Sequence, residues 1–424
     1  MPPLRIISSS RHYSPYKYYN FFKTLQGKIP ERGVHSYLKP SLRSDSHEIR
    51  IPLTHHTVFP ILCRTKNNLI KGKDMYHLAT DEQILWKDLA QKATDGELTP
   101  QSSLDGIRNA LRAHFHFYMG GLLAGLGERQ KAWDWFREGA LEEDGIFNAI
   151  MASYLERHDG RFYMPEMIFA DPHHYEHFTT VPAIVSMREK FVRFASSSLP
   201  RFTAPLTILD VGCGDGSLLV LLLKRLIAAG RAGQISRAVL VDYSAAMLDC
   251  AAEKLKQAFP DVEADKRHGR IQEHAAGLPA GIDVALLSLA YHHMPWDDKA
   301  IHLQEMAGRV GNFLLMEMDG DNDTPQLGSP ELAVSVYQSY GPLIDSIFAH
   351  DAPIAVNQGC VDNFVMAEVI SFLTQPRGKR NDYHMRRDQW TQVFSENLTG
   401  HHRRGETTVL TSEGCEFFAC HWGK

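Results

Sequence analysis

An abrupt change of hydrophobic pattern at Leu206 constrains the fold of this 424-residue chain more than any other feature. From there, short apolar runs alternate with stretches whose apolar residues recur at helical spacing. The first run, LTILDV, leads into the turn GCGDG, and a helix-like segment follows at once. Strands that alternate with helices form parallel sheets through right-handed crossovers. The pattern therefore predicts an α/β fold with a mostly parallel sheet.

Seven strands are predicted in this part of the chain. Five of them alternate with helices: Leu206–Val211, Ala238–Asp242, Gly269–Glu273, Ile282–Leu289 and Asn312–Met318. The helices between them are predicted at Ser217–Ala229, Ala245–Ala258 and Asp297–Val310. The chain ends in TTVLTSEGCEFFACHW and two further residues, a pattern typical of two strands joined by a Ser-Glu-Gly turn. This end predicts an antiparallel hairpin at the edge of the sheet.

Three regions are predicted along the chain. Residues 1–80 form a basic N-terminal extension, residues 81–200 form a helical region that covers the substrate, and residues 201–424 form the ligand-binding α/β domain. Within that domain, residues 319–382 form an insertion that is long enough for helices of its own. Insertions of this kind often cover binding sites. In the helical region, the periodic segments are Leu104–Leu126, Glu128–Leu141 and Gly145–Glu156.

Composition and cysteine spacing indicate a globular protein of a reducing compartment. Apolar residues make up 44% of the chain, and no run of 18 apolar residues occurs, so no membrane span is predicted. The six cysteines are scattered and include no C-x-x-C pair, which fits neither a zinc ribbon nor a disulfide framework. We therefore expect a cytoplasmic location.

The charge of the N-terminal segment is opposite to that of the rest of the chain. Residues 1–74 carry 13 Lys and Arg residues against 4 Asp and Glu residues, although the whole chain has a net charge of −5. Three interpretations stay open: charge complementarity within the molecule, a docking arm for an anionic partner, and an organelle transit peptide.

The glycine-rich turn after the first strand predicts a ligand site at the edge of the sheet. Glycines allow a sharp turn and a close approach of the ligand, and the helix that begins near Ser217 presents free N–H groups there. The spacing is G-x-G-x-G, whereas the dinucleotide fingerprint is G-x-G-x-x-G. Because Asp210 and Asp215 would repel a pyrophosphate, a ligand with a cationic centre and no phosphate fits better.

Four segments in a fixed order resemble the motifs of class I S-adenosylmethionine-dependent methyltransferases. ILDVGCGDGS is similar to motif I, AVLVDYSAAMLDCA to the motif after the second strand, and DVALLSLAYHHMPWDDKA to the substrate-side motif. The third-strand segment, QEHAAGLP, departs from the Asp-Ala that the family often carries. The resemblance covers Arg201–Met318 and the terminal hairpin. It implies a Rossmann-like, mostly parallel seven-stranded sheet and S-adenosylmethionine as the cofactor.

The same resemblance implies a set of cofactor-binding residues. Asp242 would bind both ribose hydroxyls, Tyr243 and Met247 would flank the adenine, and Glu273 with His274 would lie at its edge. The full set is Asp210, Gly212, Cys213, Gly214, Asp215, Gly216, Asp242, Tyr243, Met247, Glu273, His274 and Leu289.

Three residues are predicted to act on the acceptor. His293 is the first candidate for a general base and His292 the second, because an imidazole titrates near neutral pH and both follow the fourth strand. Glu317 closes the fifth strand near the expected acceptor pocket. We expect no metal; the alternative is a metal site assembled from His292 or His293 with Glu317, Asp319 and His350, by analogy with some α-keto-acid C-methyltransferases.

The resemblance implies transfer of a methyl group to a small-molecule acceptor, as in secondary metabolism. Two alternatives are enzymatic: metal-assisted C-methylation of an α-keto acid, and methylation of protein or RNA with the basic segment as a docking arm. A third is a cofactor-binding subunit without turnover. No membrane or nucleic-acid partner is expected, because no nucleic-acid module is recognisable. A homodimer is compatible with the sequence.

Overall fold

The computed structural model describes residues 76–164, 172–412 and 415–424. The basic segment 1–74, with its predicted docking arm or transit peptide, lies outside these residues. Helices dominate the first part of the described chain. They are α1 (Thr80–Asp95), α2 (Arg112–Gly125), α3 (Arg129–Gly139), α4 (Ile146–Arg157), α5 (Pro172–Thr180) and α6 (Pro182–Ser198), with a 3₁₀ turn at Asn109–Leu111.

The helix predicted at Leu104–Leu126 begins later than expected. The structure starts α2 at Arg112, after the 3₁₀ turn. Gly106 lies upstream with a φ of 88°, a left-handed backbone conformation that cannot continue a right-handed helix. The apolar periodicity on either side of Gly106 therefore belongs to two different elements.

A single seven-stranded sheet forms the second part of the described chain. Its strands are β1 (Leu206–Val211), β2 (Ile235–Asp242), β3 (Glu263–His268), β4 (Ile282–Ser288), β5 (Val310–Asp319), β6 (His402–Ser412) and β7 (Cys415–Gly423). The strand order is β3-β2-β1-β4-β5-β7-β6. The first five strands are parallel, and β7 runs antiparallel to both β5 and β6. The predicted Rossmann-like fold class is confirmed.

The remaining helices connect and cover these strands. They are α7 (Ser217–Ala228), α8 (Ala245–Ala258), α9 (Ile271–His274), α10 (Trp296–Ala307), α11 (Pro330–Ala349), α12 (Ile354–Cys360), α13 (Met366–Thr374) and α14 (Arg387–Asn397). Short 3₁₀ turns lie at Ala275–Gly277 and Tyr291–His293, and a π-helical turn lies at Val361–Val365.

The third strand was predicted in the wrong place. The predicted segment, Gly269–Glu273, forms a turn and most of α9, whereas the strand itself is Glu263–His268. Its sequence, EADKRH, has no apolar run, and its residues are exposed or half-buried. Within the described sheet, β3 lies at the edge and pairs with β2 alone, so it needs no apolar face and leaves no hydrophobic signal.

The core beneath one face of the sheet contains Leu209, Val211, Phe313 and residues of α10 and α14 such as Leu303 and Trp390. Because successive side chains of a strand point to opposite faces, Ile208 faces the other side. The helix α7 packs against both α6 and α8. With this arrangement, the carboxyl ends of β1, β2, β4 and β5 meet at one edge, where ligands bind in open α/β sheets.

A long connection between β5 and β6 reaches this edge. It contains α11, α12, the π-helical turn, α13, an extended run at residues 380–386, and α14. The helical N-terminal part contacts it directly, because the Nδ2 of Asn148 donates to the hydroxyl of Tyr337 at 3.3 Å. Among the helices that the structure describes, none combines the length and apolar character that crossing a membrane requires.

Candidate active site

The glycine-rich turn after β1 contains three glycines with a positive φ. Gly212, Gly214 and Gly216 have φ values of 65°, 52° and 72°, in a region that other residues rarely adopt. A Cβ on Gly212 would lie 2.4 Å from the Cβ of Ala290, and a Cβ on Gly214 would lie 3.0 Å from the hydroxyl oxygen of Tyr175. The turn therefore fits between its neighbours only because these positions have no side chain.

Asp242, the last residue of β2, is held by the turn after β1. Its Oδ2 accepts a hydrogen bond from the backbone N–H of Gly214 at 2.9 Å, and its Oδ1 accepts one from Ser244 at 2.9 Å. Burial raises the pKa of Asp242, although both of these hydrogen bonds oppose the shift. Each carboxylate oxygen keeps a second lone pair for a ligand.

Asp210 and Asp215 lie on either side of the same turn, but their pKa values are shifted in opposite directions. Burial, with the charges of Asp242 and Asp215, raises the pKa of Asp210 to about 8. Burial also opposes ionisation of Asp215, but hydrogen bonds from Lys254 at 2.6 Å and from the hydroxyl of Ser217 at 2.6 Å outweigh it and lower the pKa. Asp215 therefore already has a cationic partner, whereas ionised Asp210 would gain from a cationic ligand.

A cavity of about 630 Å³ opens from this turn along the edge of the sheet, within the usual size range of small-molecule sites. Among the predicted cofactor residues, those that line it are Asp210, Gly212, Cys213, Gly214, Asp215, Asp242, Tyr243, Met247 and Leu289. Gly216 does not line the cavity. It faces α8, where a Cβ would meet the Cα of Ala251 at 2.7 Å. That glycine allows helix packing instead.

Glu273 and His274 were predicted to contact the cofactor, but they do not line the cavity. Glu273 accepts a hydrogen bond from the N–H of Arg270 at the start of α9, and the Nε2 of His274 lies 3.1 Å from the carbonyl oxygen of His268. Their place is taken by Arg270, Ile271 and Gln272. The displacement follows from the misplaced third strand, since the segment is a helix with a different facing pattern.

Arg188 of α6 lines the cofactor end of the cavity, and sequence reasoning missed it. Its guanidinium donates to the hydroxyl oxygens of Ser217 and Tyr175, each at 3.0 Å. Arg188 lies outside the α/β motifs, in a helix whose apolar periodicity gives no sign that an arginine in it faces a ligand. With Lys254, it is a second positive charge beside the carboxyl groups of this turn.

His292 lies fully buried at the other end of the cavity. Its Nδ1 lies 2.8 Å from the Oε2 of Glu317, whose Oε1 accepts from the N–H of Tyr291 at 3.1 Å. Burial, with the nearby His384 and His293, lowers the pKa of His292 well below its usual value. The ring is therefore neutral, and its Nδ1 shares one proton with the carboxyl of Glu317, whose own pKa burial raises to about 7. The predicted proximity of His292 and Glu317 is present.

His293 lines the cavity beside it. Its Nδ1 lies 2.5 Å from the Oδ1 of Asp382, and its side chain is 38% exposed. Desolvation lowers its pKa, but the charge and hydrogen bond of Asp382, with the charges of Glu368 and Glu317, outweigh this and raise the pKa to about 9. The Nδ1 contact leaves the Nε2 of His293 for a ligand.

His384 completes this group and was not predicted. Its ring stacks on that of His292 with centroids 4.0 Å apart, and its Nε2 lies 3.1 Å from the hydroxyl oxygen of Tyr340 and 3.5 Å from the Oε2 of Glu368. The D-x-H spacing of Asp382 and His384 was the signal in the sequence, because alternate residues of an extended segment face the same side.

Two residues of the alternative metal set lie elsewhere. Asp319 accepts a hydrogen bond from the N–H of Arg387 at 2.9 Å, and the Nε2 of His350 lies 3.1 Å from the hydroxyl oxygen of Thr180. Neither residue lines the cavity. Two other groups bring potential ligand atoms within 4.8 Å of one another: His292 with His293 and Asp382, and His292 with Glu317 and His384.

The cofactor end of the cavity suits a nucleoside that carries a positive charge and no phosphate. Its glycine cradle admits a ligand close to the backbone, Asp242 offers carboxylate lone pairs suited to hydroxyl groups, and Asp210 favours a cation.

A family model described as a methyltransferase domain matches residues 208–310. The fold and this turn agree with the match, which identifies residues 208–310 as a methyltransferase domain with S-adenosylmethionine as its cofactor. No curated protein matches the chain.

Solved structures with a similar fold include two methyltransferases. Magnesium protoporphyrin IX methyltransferase from Synechocystis PCC 6803, with bound S-adenosylmethionine, is 13% identical, with 59% of this chain and 90% of that chain covered and a TM-score of 0.34. Geranyl diphosphate C-methyltransferase from Streptomyces coelicolor A3(2), in complex with Mg²⁺, geranyl diphosphate and S-adenosyl-L-homocysteine, is 12% identical, with 55% and 76% covered and a TM-score of 0.34. At this distance neither bears on the acceptor of this chain.

Proposed function

We propose that this protein transfers a methyl group from S-adenosylmethionine to a small-molecule acceptor. The observation that carries the proposal is that one cavity is lined both by the glycine-rich turn and by His293. The helical region contributes Tyr175 and Phe178 to its walls, and the insertion contributes Phe364. A methyl acceptor enclosed by three parts of the chain is more readily a metabolite than a segment of a macromolecule.

At the cofactor end, we assign the roles by charge and position. Asp242 binds the ribose hydroxyls with the lone pairs that its two backbone hydrogen bonds leave free. Asp210 faces the cationic part of the cofactor, and Arg188 faces its carboxylate. Tyr243 and Met247 flank the base. The cofactor supplies an electrophilic methyl group, so the chain needs no covalent nucleophile of its own.

At the acceptor end, His293 is the proposed general base. Asp382 holds its Nδ1 and raises its pKa to about 9, so the ring acts as a base in its neutral form, in which the Nε2 accepts a proton from a hydroxyl group or an acidic carbon and which becomes more populated as the pH approaches 9. The imidazolium that forms is stabilised by the adjacent carboxylate of Asp382. Positioning of the acceptor against the methyl group then contributes much of the rate, about 7–11 kcal/mol in favourable cases.

The acceptor is proposed to have an apolar body and a polar reacting end. Apolar side chains line the cavity around the histidines: Met294, Met316, Met318, Leu343, Val365 and Phe417. The polar residues that line the cavity with them include His292, His293, Glu368, Arg380, Asn381, Asp382 and His384. Such a division orients a ligand, because burial of its apolar part leaves one end to the polar residues.

Incubation of the full-length protein with radiolabelled S-adenosylmethionine and separated cell fractions tests the proposal. We expect label in the metabolite fraction and none in the protein or RNA fractions, with Asp242→Ala as the matched inactive control. Label in a macromolecular fraction would instead support methylation of protein or RNA. Binding of the cofactor without transfer to any fraction would support a non-enzymatic subunit.

A further inference from the structure

We propose that Lys299 is a positioning residue for the methyl transfer: its Nζ holds the extended run at residues 380–386 in place, so that Asp382 stays in contact with His293. The inference rests on the proposed function for the role of His293 as the base. The contact itself belongs to the chain without any ligand, so it can be tested apart from catalysis.

The position of Lys299 is unfavourable for a lysine in two ways. It lies in the first turn of α10, where the helix dipole favours a negative charge over a positive one. Its side chain is also fully buried, and burial of a charged group without a partner is unfavourable. Burial lowers the pKa of Lys299 to about 7. A lysine at this position therefore needs contacts that offset both costs.

Lys299 contacts one main-chain group and two aromatic rings. Its Nζ donates to the carbonyl oxygen of Tyr383 at 2.9 Å. The same Nζ lies 4.8 Å from the centre of the Trp390 ring and 5.9 Å from the centre of the Tyr383 ring, within the range of cation–π contacts. The ammonium and the neutral amine both have an N–H to donate, so the hydrogen bond to the carbonyl does not depend on the charge of Lys299.

Lys299 and His292 together fix the two peptide groups that flank the Cα of Tyr383. The N–H of Tyr383 donates to the carbonyl oxygen of His292 at 2.7 Å, and this peptide group also contains the carbonyl of Asp382. The carbonyl of Tyr383, which accepts from Lys299, belongs to the peptide group that leads into His384. Because a peptide group is planar, each contact sets the direction of the chain on one side of Tyr383.

The fixed run presents the carboxylate of Asp382 to His293. Asp382 is completely buried, and its Oδ1 lies 2.5 Å from the Nδ1 of His293. Without the donor of Lys299, the carbonyl of Tyr383 would lose its hydrogen bond in the interior, at a cost of about 1–3 kcal/mol. The run can avoid this cost by turning that carbonyl elsewhere, which displaces the preceding residue, Asp382.

Other contacts hold the run on either side of this point. The N–H of Asn381 donates to the hydroxyl of Ser371 at 2.8 Å, and the N–H of Asn322 donates to the carbonyl oxygen of His384 at 3.2 Å. These contacts remain when Lys299 is replaced. We therefore expect a substitution of Lys299 to shift the run locally and to leave the fold intact.

The effect of Lys299 on His293 through position has the opposite sign to any effect through charge. Burial disfavours the charged ring of His293, but the charge and hydrogen bond of Asp382 outweigh it and raise the pKa to about 9. Displacement of Asp382 therefore lowers this pKa. Removal of the positive charge of Lys299 would by itself raise the pKa of a nearby imidazole, because it removes a repulsion. A fall in the pKa thus reports the lost position.

Titration of His293 by NMR, in the full-length protein labelled with ¹⁵N-histidine, tests the inference, and His293→Ala assigns its signals. Lys299→Met keeps an unbranched apolar side chain but has no donor, so the pKa of His293 should fall by at least about one pH unit. Lys299→Leu also lacks a donor and should give the same fall. Lys256→Met, on the exposed surface of α8, should leave the pKa unchanged.

A double variant tests whether Lys299 acts through Asp382. Asp382→Asn should lower the pKa of His293 on its own, and the addition of Lys299→Met should lower it no further. An equal further fall in the double variant would overturn the inference. So would an unchanged or raised pKa in a Lys299 variant that binds S-adenosylhomocysteine as the wild type does.

Binding of S-adenosylhomocysteine, measured on the same samples, separates the possible failures. We expect its Kd to stay within about twofold in the Lys299 variants, because Lys299 acts at the acceptor end. Loss of binding in one of the two variants leaves the result to the other, whereas loss in both would show that Lys299 supports the fold as a whole and would overturn the positioning role. Failure of the wild type to bind would contradict the proposed function, while the ligand-free titration would still decide the role of Lys299.

Discussion

The two ends of the cavity are built in different ways. At the cofactor end, two short segments at the exits of β1 and β2, Asp210–Asp215 and Asp242–Met247, supply lining residues close together in the sequence. At the acceptor end, side chains converge from the exit of β4, from β5, from α13 and from the extended run at 380–386. A site made within continuous motifs leaves a pattern in the sequence, whereas a site assembled across the fold does not.

The largest effect should come from the acceptor end. His293→Ala should lower kcat by about 100-fold or more, because general bases contribute roughly 10²–10⁴ in rate, while the Kd for S-adenosylhomocysteine should stay within about twofold. Steady-state kinetics and calorimetry measure the two quantities, with His402→Ala as the control. A loss of cofactor affinity as large as the loss of kcat would show that the two ends are not separate.

Asp242→Ala should act at the other end of the cavity and weaken cofactor binding. It removes the carboxylate proposed to bind the ribose and leaves the N–H groups of Gly214 and Ser244 without their acceptor, so the cofactor Kd should rise at least about tenfold. Calorimetric titration with S-adenosylhomocysteine measures it, and the exposed Asp261→Ala serves as the matched control. Equal affinity in the two variants would show that the ribose assignment is wrong.

A smaller effect, on the free energy of unfolding, is expected where the glycine-rich turn contacts the exit of β4. Gly212→Ala places a Cβ against that of Ala290, and such overpacking costs about 1–3 kcal/mol of unfolding free energy. The double variant Gly212→Ala/Ala290→Gly removes the clash but keeps the positive φ, so it should recover part of the loss. Urea denaturation of the three proteins measures this, and no recovery would mean that backbone strain alone sets the cost.

The smallest effect should be a pH dependence of stability at the cofactor end. The pKa of Asp210 is raised from 3.8 to about 8, so the folded chain keeps a proton that the unfolded chain releases, and stability falls as the pH rises between these values. Asp210→Asn has no such loss. Its melting temperature without cofactor should match the wild type near pH 4 and exceed it by an amount that grows as the pH rises to 9. A constant difference across this range would contradict the raised pKa.

The sequence predicted the elements that carry a strong apolar pattern. β1 and α8 lie where their periodicity indicates, and the glycine-rich turn predicts the edge of the sheet that holds the cavity. The prediction of β3 was wrong because EADKRH is an edge strand without a buried face. Once that strand was misplaced, Glu273 and His274 were assigned to a surface that Arg270–Gln272 form instead.

The acceptor end was predictable only in part. His292 and His293 follow β4, and Glu317 lies near the end of β5, so parallel topology is enough to bring them together at the expected edge. Arg188, Asp382 and His384 come from segments whose position depends on tertiary packing, and no local pattern states which strand they will meet. The domain boundaries at residues 80 and 200 and the roles of the site residues stay predictions.

The hydrogen bond from the N–H of Tyr383 to the carbonyl oxygen of His292 has a consequence for how new specificities can arise. Because it joins main chain to main chain, any residue except proline at position 383 can keep it. Neighbouring side chains can therefore vary by mutation while the imidazoles stay anchored. The side chains around the acceptor end can then be exchanged by design while this main-chain link holds the extended run against the exit of β4.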